Sequence, residues 1–245
     1  MVQDDPNIDW RKWERKLSNF RRWRASREKK RARNDSEVIS HERDNAKRLQ
    51  CFYSWCGNLK GRMLDIGCGS GSPKRVFSEA SYFGIDPIIV DSRDDFLLVK
   101  GLGEYLPFRS EVFNSVLIMA ALDHLASLSM TFQECFRVLE LGGALYIYTS
   151  VESQYSVKHL EEPSTTVPKS ARLRNKFRKN GFSGLLKSMY YVVYYSKPLS
   201  HWRDNTHVRE IVLSELVDLW LSFPVRLTIE RIGPHHAFIK AVKIR

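Results

Sequence analysis

Three glycines at alternate positions follow a short apolar run near the middle of the chain. Gly67, Gly69 and Gly71 come directly after Met63–Ile66, and the residues beyond them are predicted to be helical. Glycines let the backbone turn sharply and let a ligand approach without meeting a β-carbon, while the start of a helix offers unpaired N–H groups. The loop is therefore predicted to hold a group the size of a nucleoside.

Asp86 is the second residue that favours nucleoside binding. It lies nineteen residues beyond Gly67, at the end of the next apolar run, where its carboxylate is placed to accept hydrogen bonds from both ribose hydroxyls. Ser72 stands where a dinucleotide-binding loop needs its third glycine, and no Gly-Lys-Ser/Thr follows the loop. The spacing therefore excludes both the dinucleotide fingerprint and the phosphate loop.

Short apolar runs that alternate with amphipathic segments must position these groups, and this alternation is typical of a parallel α/β sheet. Strands are predicted at Met63–Ile66, Tyr82–Ile85, Phe96–Val99, Val116–Met119 and Ala144–Thr149, and helices at His41–Cys56, Lys74–Glu79, Ser127–Leu139 and Leu213–Leu221. Two further runs, Val225–Ile232 and Ala237–Val242, are separated by a turn at Gly233-Pro234 that permits only antiparallel pairing. We therefore predict a Rossmann-like α/β sheet of seven mostly parallel strands that ends in an antiparallel hairpin, with helices on both faces.

Composition and charge limit the partners. The 245 residues include 43% hydrophobic residues and have a net charge of +11, which predicts one main domain and an anionic partner such as nucleic acid, a lipid headgroup or a phosphorylated substrate. The positive charge lies in two segments, because residues 11–33 hold twelve basic residues against two acidic ones and residues 166–205 hold nine against one. Residues 57–150 hold eight basic residues against eleven acidic ones, so the predicted nucleoside site lies in a mildly acidic core.

The first basic segment has helical spacing. Trp10, Trp13, Leu17 and Phe20 recur at intervals of three and four residues, and basic residues fill the positions between them, which is the pattern of an amphipathic helix. Such a helix can lie on an anionic membrane or on nucleic acid. Alternatively, its aromatic stripe can pack on the domain itself or on a second copy of the chain. Peripheral membrane contact through residues 10–33 is therefore one of several open interpretations.

Cysteine usage and hydropathy predict the compartment. Cys51, Cys56, Cys68 and Cys135 form neither a disulfide framework nor a C-x-x-C pair. No run of eighteen apolar residues is present, and the first residues lack the apolar stretch of a secretory signal. We therefore expect a cytoplasmic protein, with a peripheral position at the membrane as the alternative, and we expect no metal site.

Several segments resemble, in order, the successive motifs of class I S-adenosylmethionine-dependent methyltransferases of the ubiquinone-biosynthesis-like group. They are Leu64–Gly71, Gly84–Pro87, Gly103–Phe108, Ala121–Leu125 and Arg137–Gly143. The resemblance covers residues 60–150. It implies S-adenosylmethionine as the cofactor and methyl transfer as the reaction.

The resemblance also implies a set of cofactor contacts. The methionine part is expected at Asp65 and the backbone of residues 67–71, the ribose at Asp86, and the adenine near residues 102–104. Two positions depart from the family pattern, because Leu102 stands where an Asp often accepts from the adenine amino group, and Asn114 replaces the usual Asp after Phe113. Adenine is then expected to be held by the Gly103 backbone and apolar packing. The full expected set is Asp65, Gly67, Cys68, Gly69, Gly71, Asp86, Pro87, Leu102, Gly103, Glu104, Met119 and Ala120.

Methyl transfer from a sulfonium is an in-line displacement, so the main task of such an enzyme is to hold the nucleophile close to the methyl carbon. An oxygen or nitrogen nucleophile can also need its proton removed, and histidine has the most suitable pKa for that step. His124, beside Asp123 and after the fourth strand, is the candidate base. The alternative is that His124 caps or packs against the following helix. Surface or turn positions are predicted for four later histidines, His201, His207, His235 and His236.

The chain is predicted to consist of a basic helical extension, residues 1–56, and a methyltransferase domain, residues 57–245, with a basic aromatic insertion at residues 151–205. The insertion follows the fifth strand, where it is expected to fold over the pocket and recognise a small-molecule, lipid-linked or glycan acceptor that is apolar, anionic or both. Two alternatives stay open. A nucleic-acid methyltransferase accounts for the charge but not for the absence of an Asn/Asp-Pro-Pro-aromatic segment after the fourth strand, and a cofactor-binding scaffold without activity accounts for the two departures.

Overall fold

A computed structural model of the chain describes residues 9–33, 36–88, 96–151, 209, 211–233 and 235–245. The chain divides into two compact units, Met1–Ser153 with Thr206–Arg245, and Gln154–Asn205. The second unit lies outside the described residues, as do His201, His207 and, apart from residue 151, the predicted insertion at residues 151–205.

Seven strands form one sheet in the order β3-β2-β1-β4-β5-β7-β6. The strands are β1 Gly61–Ile66, β2 Ala80–Asp86, β3 Leu97–Lys100, β4 Phe113–Met119, β5 Leu139–Ser150, β6 Val225–Ile232 and β7 His236–Lys243. Strands β1 to β5 pair in parallel, and β7 pairs antiparallel with both β5 and β6. This confirms the predicted mostly parallel sheet with a terminal antiparallel hairpin. We call the edge at which β1, β2, β4 and β5 end the carboxyl edge, and the opposite one the amino edge.

The burial of each strand follows from its place in the sheet. The last four residues of the central strand β1 are all buried, as expected for a parallel strand covered on both faces. In contrast, β6 at the end of the sheet alternates half-buried and exposed residues over most of its length, which is the period of a strand with one covered face. Continuous and alternating apolar patterns therefore mark the centre and the margin of the sheet.

Helices cover both faces of the sheet. The described helices are α1 Trp10–Ala32, α2 Ser36–Cys56, α3 Leu128–Val138 and α4 Leu213–Trp220. On one face α2 packs through Phe52, whose ring centroid lies 5.2 Å from that of Phe238 in β7. On the other face α3 and α4 meet through stacked rings of Phe132 and Trp220, whose centroids are 4.3 Å apart. Since α2 contributes to the core, the packing of the domain extends upstream of residue 57.

The predicted helix at Lys74–Glu79 is wrong. A single 3₁₀ turn at Ser72–Arg75 takes its place, and the next strand begins at Ala80. Phe77 is buried between them, with its ring 5.6 Å from that of Tyr53 in α2. Burying this ring and starting β2 within five residues leaves no length for a further helical turn.

Two further features bear on location. Within the described ranges, no helix is both long and apolar enough to cross a membrane. All four cysteines are free thiols; Cys51 is exposed, whereas Cys56, Cys68 and Cys135 are buried.

Candidate functional site

The glycine loop after β1 and the end of β2 come together at the carboxyl edge, as their spacing predicts. The Gly69 N–H donates to Asp86 Oδ2 over 2.9 Å, and the Ile88 N–H donates to Asp86 Oδ1 over 2.7 Å. The carboxylate is itself buried. Since a carboxylate offers about four acceptor positions, Asp86 uses one for the loop and one for Ile88 and can still accept from two hydroxyls of a ligand.

Three alternate positions of the loop favour glycine. Gly67, Gly69 and Gly71 have φ angles of 70°, 55° and 74°, in the left-handed region that side chains disfavour. A β-carbon on Gly67 would lie 2.6 Å from Ala121 Cβ, and one on Gly71 would lie 2.5 Å from Phe96 Cζ. The loop is thus closely packed at Gly67 and Gly71. Its shape is held by its own backbone, because the Gly67 N–H donates to the Ile85 carbonyl over 2.8 Å and the Gly71 N–H donates to the Cys68 carbonyl over 2.9 Å.

Asp65 lies beneath the loop and is fully buried. The Tyr82 hydroxyl donates to Asp65 Oδ2 over 2.6 Å, while Asp65 Oδ1 has no hydrogen-bond partner among the described residues. Burial, assisted by the nearby charge of Asp86 and opposed by the Tyr82 hydrogen bond, raises the pKa of Asp65 to about 7. A buried acceptor without a donor costs roughly 1–3 kcal/mol, so this oxygen fits a donor or a cation that a ligand brings.

The residues expected near adenine divide into two roles. Leu102 is half-buried, and a β-carbon on Gly103 would lie 2.8 Å from Ile66 Cγ2, so this turn packs directly on β1. The buried carboxylate of Glu104 accepts from the N–H groups of Ala126 and Ser127, over 2.6 and 3.1 Å, and burial raises its pKa. The Glu104 side chain therefore holds the segment before α3 in place. A cofactor would then be contacted by the backbone of Glu104 and not by its side chain.

Asn114 lies at the amino edge and not at the site. Its Oδ1 accepts from the Arg62 N–H over 2.8 Å, and its Nδ2 donates to Glu140 over 2.7 Å. The amide thus joins the starts of β1, β4 and β5, a role that needs a donor as well as an acceptor and that an ionised Asp cannot fill. The departure from the family pattern at this position has a structural cause and no bearing on ligand binding.

Residues at the strand ends complete the expected set. Pro87 and Met119 are half-buried, next to Asp86 and at the end of β4. Ala120 has a φ of 50°, and its N–H donates to the Tyr148 carbonyl over 2.8 Å. Left-handed backbone costs a side-chain-bearing residue roughly 1–2 kcal/mol, and such strain is concentrated at functional sites. Here it turns the chain from β4 into the 3₁₀ turn Leu122–His124.

His124 contacts α1 through both its ring and its carbonyl group. Its ring centroid lies 4.6 Å from that of Phe20, and its carbonyl accepts from the Trp13 indole N–H over 3.1 Å. The Asp123 carboxylate lies 3.9 Å from His124 Nε2. The aromatic stripe of α1 thus packs on the domain at the carboxyl edge, where Trp10 also stacks on Tyr105 with centroids 6.3 Å apart.

The same helix brings a cation to the glycine loop. Arg24 Nη2 lies 3.9 Å from the position that a β-carbon on Gly69 would take. Sequence reasoning missed this residue because 45 positions separate it from the loop, and it missed Tyr82 because nothing in an apolar run marks which side chain reaches Asp65. The one available indication was that Arg24 follows Trp13, Leu17 and Phe20 on the same helical face.

The described late histidines differ from each other. His235 is exposed, in agreement with its predicted turn position. His236 begins β7 opposite Ser150, with its ring 5.6 Å from that of Tyr148, and its Nδ1 is buried without a partner. Burial lowers the pKa of His236. In the described part of the chain, no group of His, Cys, Asp and Glu has the arrangement of a metal site.

Comparisons with known proteins agree with this site. Residues 64–147 match a family model described as a methyltransferase domain. The mitochondrial ubiquinone biosynthesis O-methyltransferase of Rattus norvegicus is 29% identical over 199 residues, which cover 67% of this chain and 56% of that protein. Sterol 24-C-methyltransferase erg6 of Schizosaccharomyces pombe is 30% identical over 109 residues, which cover 38% of this chain and 28% of that protein. The chain thus spans about half the length of the ubiquinone-biosynthesis relatives it matches.

A solved structure supports the fold. The YcgJ protein of Bacillus subtilis aligns with a TM-score of 0.56 at 16% identity, covering 80% of this chain and 98% of that one. Strands β1 to β5 and the glycine loop joined to Asp86 lie in the stretch that contains the match. The chain therefore contains a Rossmann-like methyltransferase domain and is similar to ubiquinone biosynthesis O-methyltransferases.

Proposed function

We propose that this chain transfers a methyl group from S-adenosylmethionine to an oxygen or nitrogen atom of an acceptor that binds at the carboxyl edge, beside α1. The observation that carries the proposal is the hydrogen bond from the Gly69 N–H to Asp86 Oδ2, in the loop that follows Asp65, whose Oδ1 is buried without a donor among the described residues. The methyltransferase relatives support the reaction class.

The residues present fit the cofactor. Its ribose offers two hydroxyl donors for Asp86, and its α-amino group offers a cation for Asp65 Oδ1, the oxygen that has no donor among the described residues. Its carboxylate is complemented by the guanidinium of Arg24, which lies beside the glycine loop. When bound, the cofactor supplies a methyl group on a positively charged sulfur.

The residues of this chain then orient the acceptor and move one proton. Phe20 and Trp13 fix His124 from the side of α1, so the imidazole is held at the edge where the acceptor binds. Removal of the acceptor proton by His124 leaves an imidazolium, which the Asp123 carboxylate at 3.9 Å stabilises. Asp123 is thus assigned an electrostatic role, and His124 the role of general base.

The acceptor is proposed to be apolar at least in part. The surface of α1 that faces this edge is formed by aromatic rings, which favour an apolar or aromatic group. The two named relatives act, by their names, on a ubiquinone precursor or a sterol. As for location, the four free thiols support a reducing compartment such as the cytoplasm, although the rat relative is named as mitochondrial.

Calorimetry with S-adenosylmethionine and with its demethylated product, S-adenosylhomocysteine, tests the cofactor site. A chain that binds neither compound contradicts the proposal. Transfer of a radiolabelled methyl group, measured against a total lipid extract and against total RNA, then tests the acceptor class, and labelling of RNA alone contradicts the apolar acceptor.

His124→Ala is expected to keep cofactor affinity and to lower the transfer rate by about 100-fold or more, because general base catalysis contributes at least that much. His235→Ala is the matched control, since His235 is an exposed histidine outside the proposed mechanism. Equal rates for the two variants would remove His124 from the proposed mechanism.

A further inference from the structure

One side of α1 is apolar and aromatic and packs at the candidate site. The opposite side is basic and exposed. At 100° per residue, Trp13, Leu17 and Phe20 lie within about 60° of one another. Diametrically opposite lies a row of five exposed basic residues, which we call the cationic row: Arg11, Arg15, Arg22, Lys29 and Arg33. The acidic residues Glu14 and Glu28 lie on the flank of the helix and not within the row.

The cationic row is long and straight. From Arg11 to Arg33 it extends over about 33 Å of helix at 1.5 Å per residue. Placing five positive charges along one line costs free energy through mutual repulsion, and neither the site nor the core uses them, because all five side chains are exposed. Charges arranged in this way attract an extended anionic surface.

We infer that the cationic row docks the protein on an anionic lipid bilayer, while the aromatic stripe of the same helix stays on the domain. A free amphipathic helix inserts its apolar face into the headgroup region, but here that face contacts Tyr105 and His124. Binding is therefore electrostatic. Docking would bring the carboxyl edge close to an acceptor that is dissolved in the membrane. This part of the inference rests on the proposed function.

RNA fits the row less well than a bilayer does. Proteins that bind single strands interleave their cations with aromatic rings on which bases stack. The cationic row contains no aromatic residue, and Trp10, Trp13 and Phe20 face the domain. The exposed Trp23 lies about 100° around the helix from the row, where its ring stacks on Phe20 and lies beneath the guanidinium of Arg27. A plane of anionic headgroups requires only charge density, which the row supplies.

Sedimentation with vesicles tests the inference on the full chain. The probes are phosphatidylcholine vesicles with and without about 30% phosphatidylglycerol, at low and high salt, because surface attraction of this kind depends on lipid charge and is screened by ions. We expect binding to the anionic vesicles alone, and its loss at about 0.5 M salt. Binding to neutral vesicles, or binding that salt does not weaken, would show insertion and contradict the inference.

The variant R11Q/R15Q/R22Q removes three charges of the row and keeps residues that favour helix. We expect about 100-fold weaker partitioning, since each basic residue near an anionic surface contributes about fivefold. The matched control R109Q/R226Q/R245Q removes the same charge from exposed positions near the amino edge and is expected to bind vesicles almost as the unmodified chain does.

Equal losses in the two triple variants would mean that net charge alone drives binding, and an unaffected R11Q/R15Q/R22Q variant would place binding elsewhere in the chain. Either result overturns the inference, as does tighter binding to total RNA than to anionic vesicles. S-adenosylmethionine calorimetry on every variant separates these outcomes, because failure of the proposed function abolishes cofactor binding in all of them and failure of the docking surface leaves it unchanged.

Discussion

Polar side chains lie at both the amino and the carboxyl edge of the sheet, but their hydrogen bonds are satisfied to different degrees. At the amino edge the Asn114 amide joins Arg62 to Glu140, and Lys60 Nζ lies 2.8 Å from Glu79 Oε2. At the carboxyl edge one oxygen of the buried Asp65 has no donor among the described residues. A buried acceptor without a donor reduces stability, so this oxygen identifies a position that a ligand can complete.

Asp86→Ala is expected to produce the largest difference between the edges. It removes a charged acceptor for two ribose hydroxyls and frees the glycine loop, which together are worth about 3 kcal/mol, or about 100-fold in cofactor affinity. Calorimetry with S-adenosylmethionine measures the loss. Asn114→Ala also removes two hydrogen bonds, but at the amino edge, and should change the affinity by less than about twofold. Comparable losses in both variants would show that the edges do not differ in function.

Gly67→Ala and Gly142→Ala compare how tightly the backbone is packed at the carboxyl edge and at the amino edge. Both glycines have positive φ angles, 70° and 80°, so both substitutions pay the cost of left-handed backbone, about 1–2 kcal/mol. At Gly67 the new β-carbon would also meet Ala121 Cβ at 2.6 Å, whereas at Gly142 nothing lies within 4 Å. Urea unfolding should therefore show a loss about 2 kcal/mol larger for Gly67→Ala. Similar losses would mean that Ala121 moves aside easily.

The smallest expected effect is on how the free energy of unfolding depends on pH. The sign of this dependence differs between the two edges. Burial raises the pKa of Asp65 to about 7, so the native state holds a proton that the unfolded state releases near pH 4. The stability that this proton provides is complete below pH 4 and is lost as the pH rises to 7, at about 1.4 kcal/mol per pH unit at most. Asp65→Asn should remove this slope from the free energy of unfolding.

Glu79 at the amino edge provides the contrast to Asp65. Hydrogen bonds from Lys60 and Asn58 lower the pKa of Glu79, so its contribution is present at neutral pH and is lost only as the pH falls below about 4. Glu79→Gln should thus leave the slope between pH 5 and pH 7 unchanged in urea unfolding. A slope that persists in Asp65→Asn would assign the titration to another group.

Sequence reasoning predicted the parts of this molecule that depend on local pattern. The mostly parallel sheet with its terminal hairpin follows from the alternation of elements, and the meeting of the Gly67–Gly71 loop with Asp86 follows because adjacent parallel strands end at the same edge. The contacts of Asp65 with Tyr82, and of α1 with His124, do not follow. They depend on how elements pack across 17 and more than 100 residues, and helical periodicity gives the face of α1 without giving its partner. The helix predicted at 74–79 failed because burial of Phe77 overrides local propensity.

The packing of α1 on His124 also limits what the relatives can indicate about the acceptor of this chain. The matched family model begins at residue 64, yet Trp13 and Phe20 border the candidate acceptor site from far outside it. Proteins that share the conserved domain can therefore differ in substrate preference through a segment that domain alignments do not score. Because the proposed acceptor site lies beside this helix, exchanging the helix between relatives would test whether it sets acceptor choice.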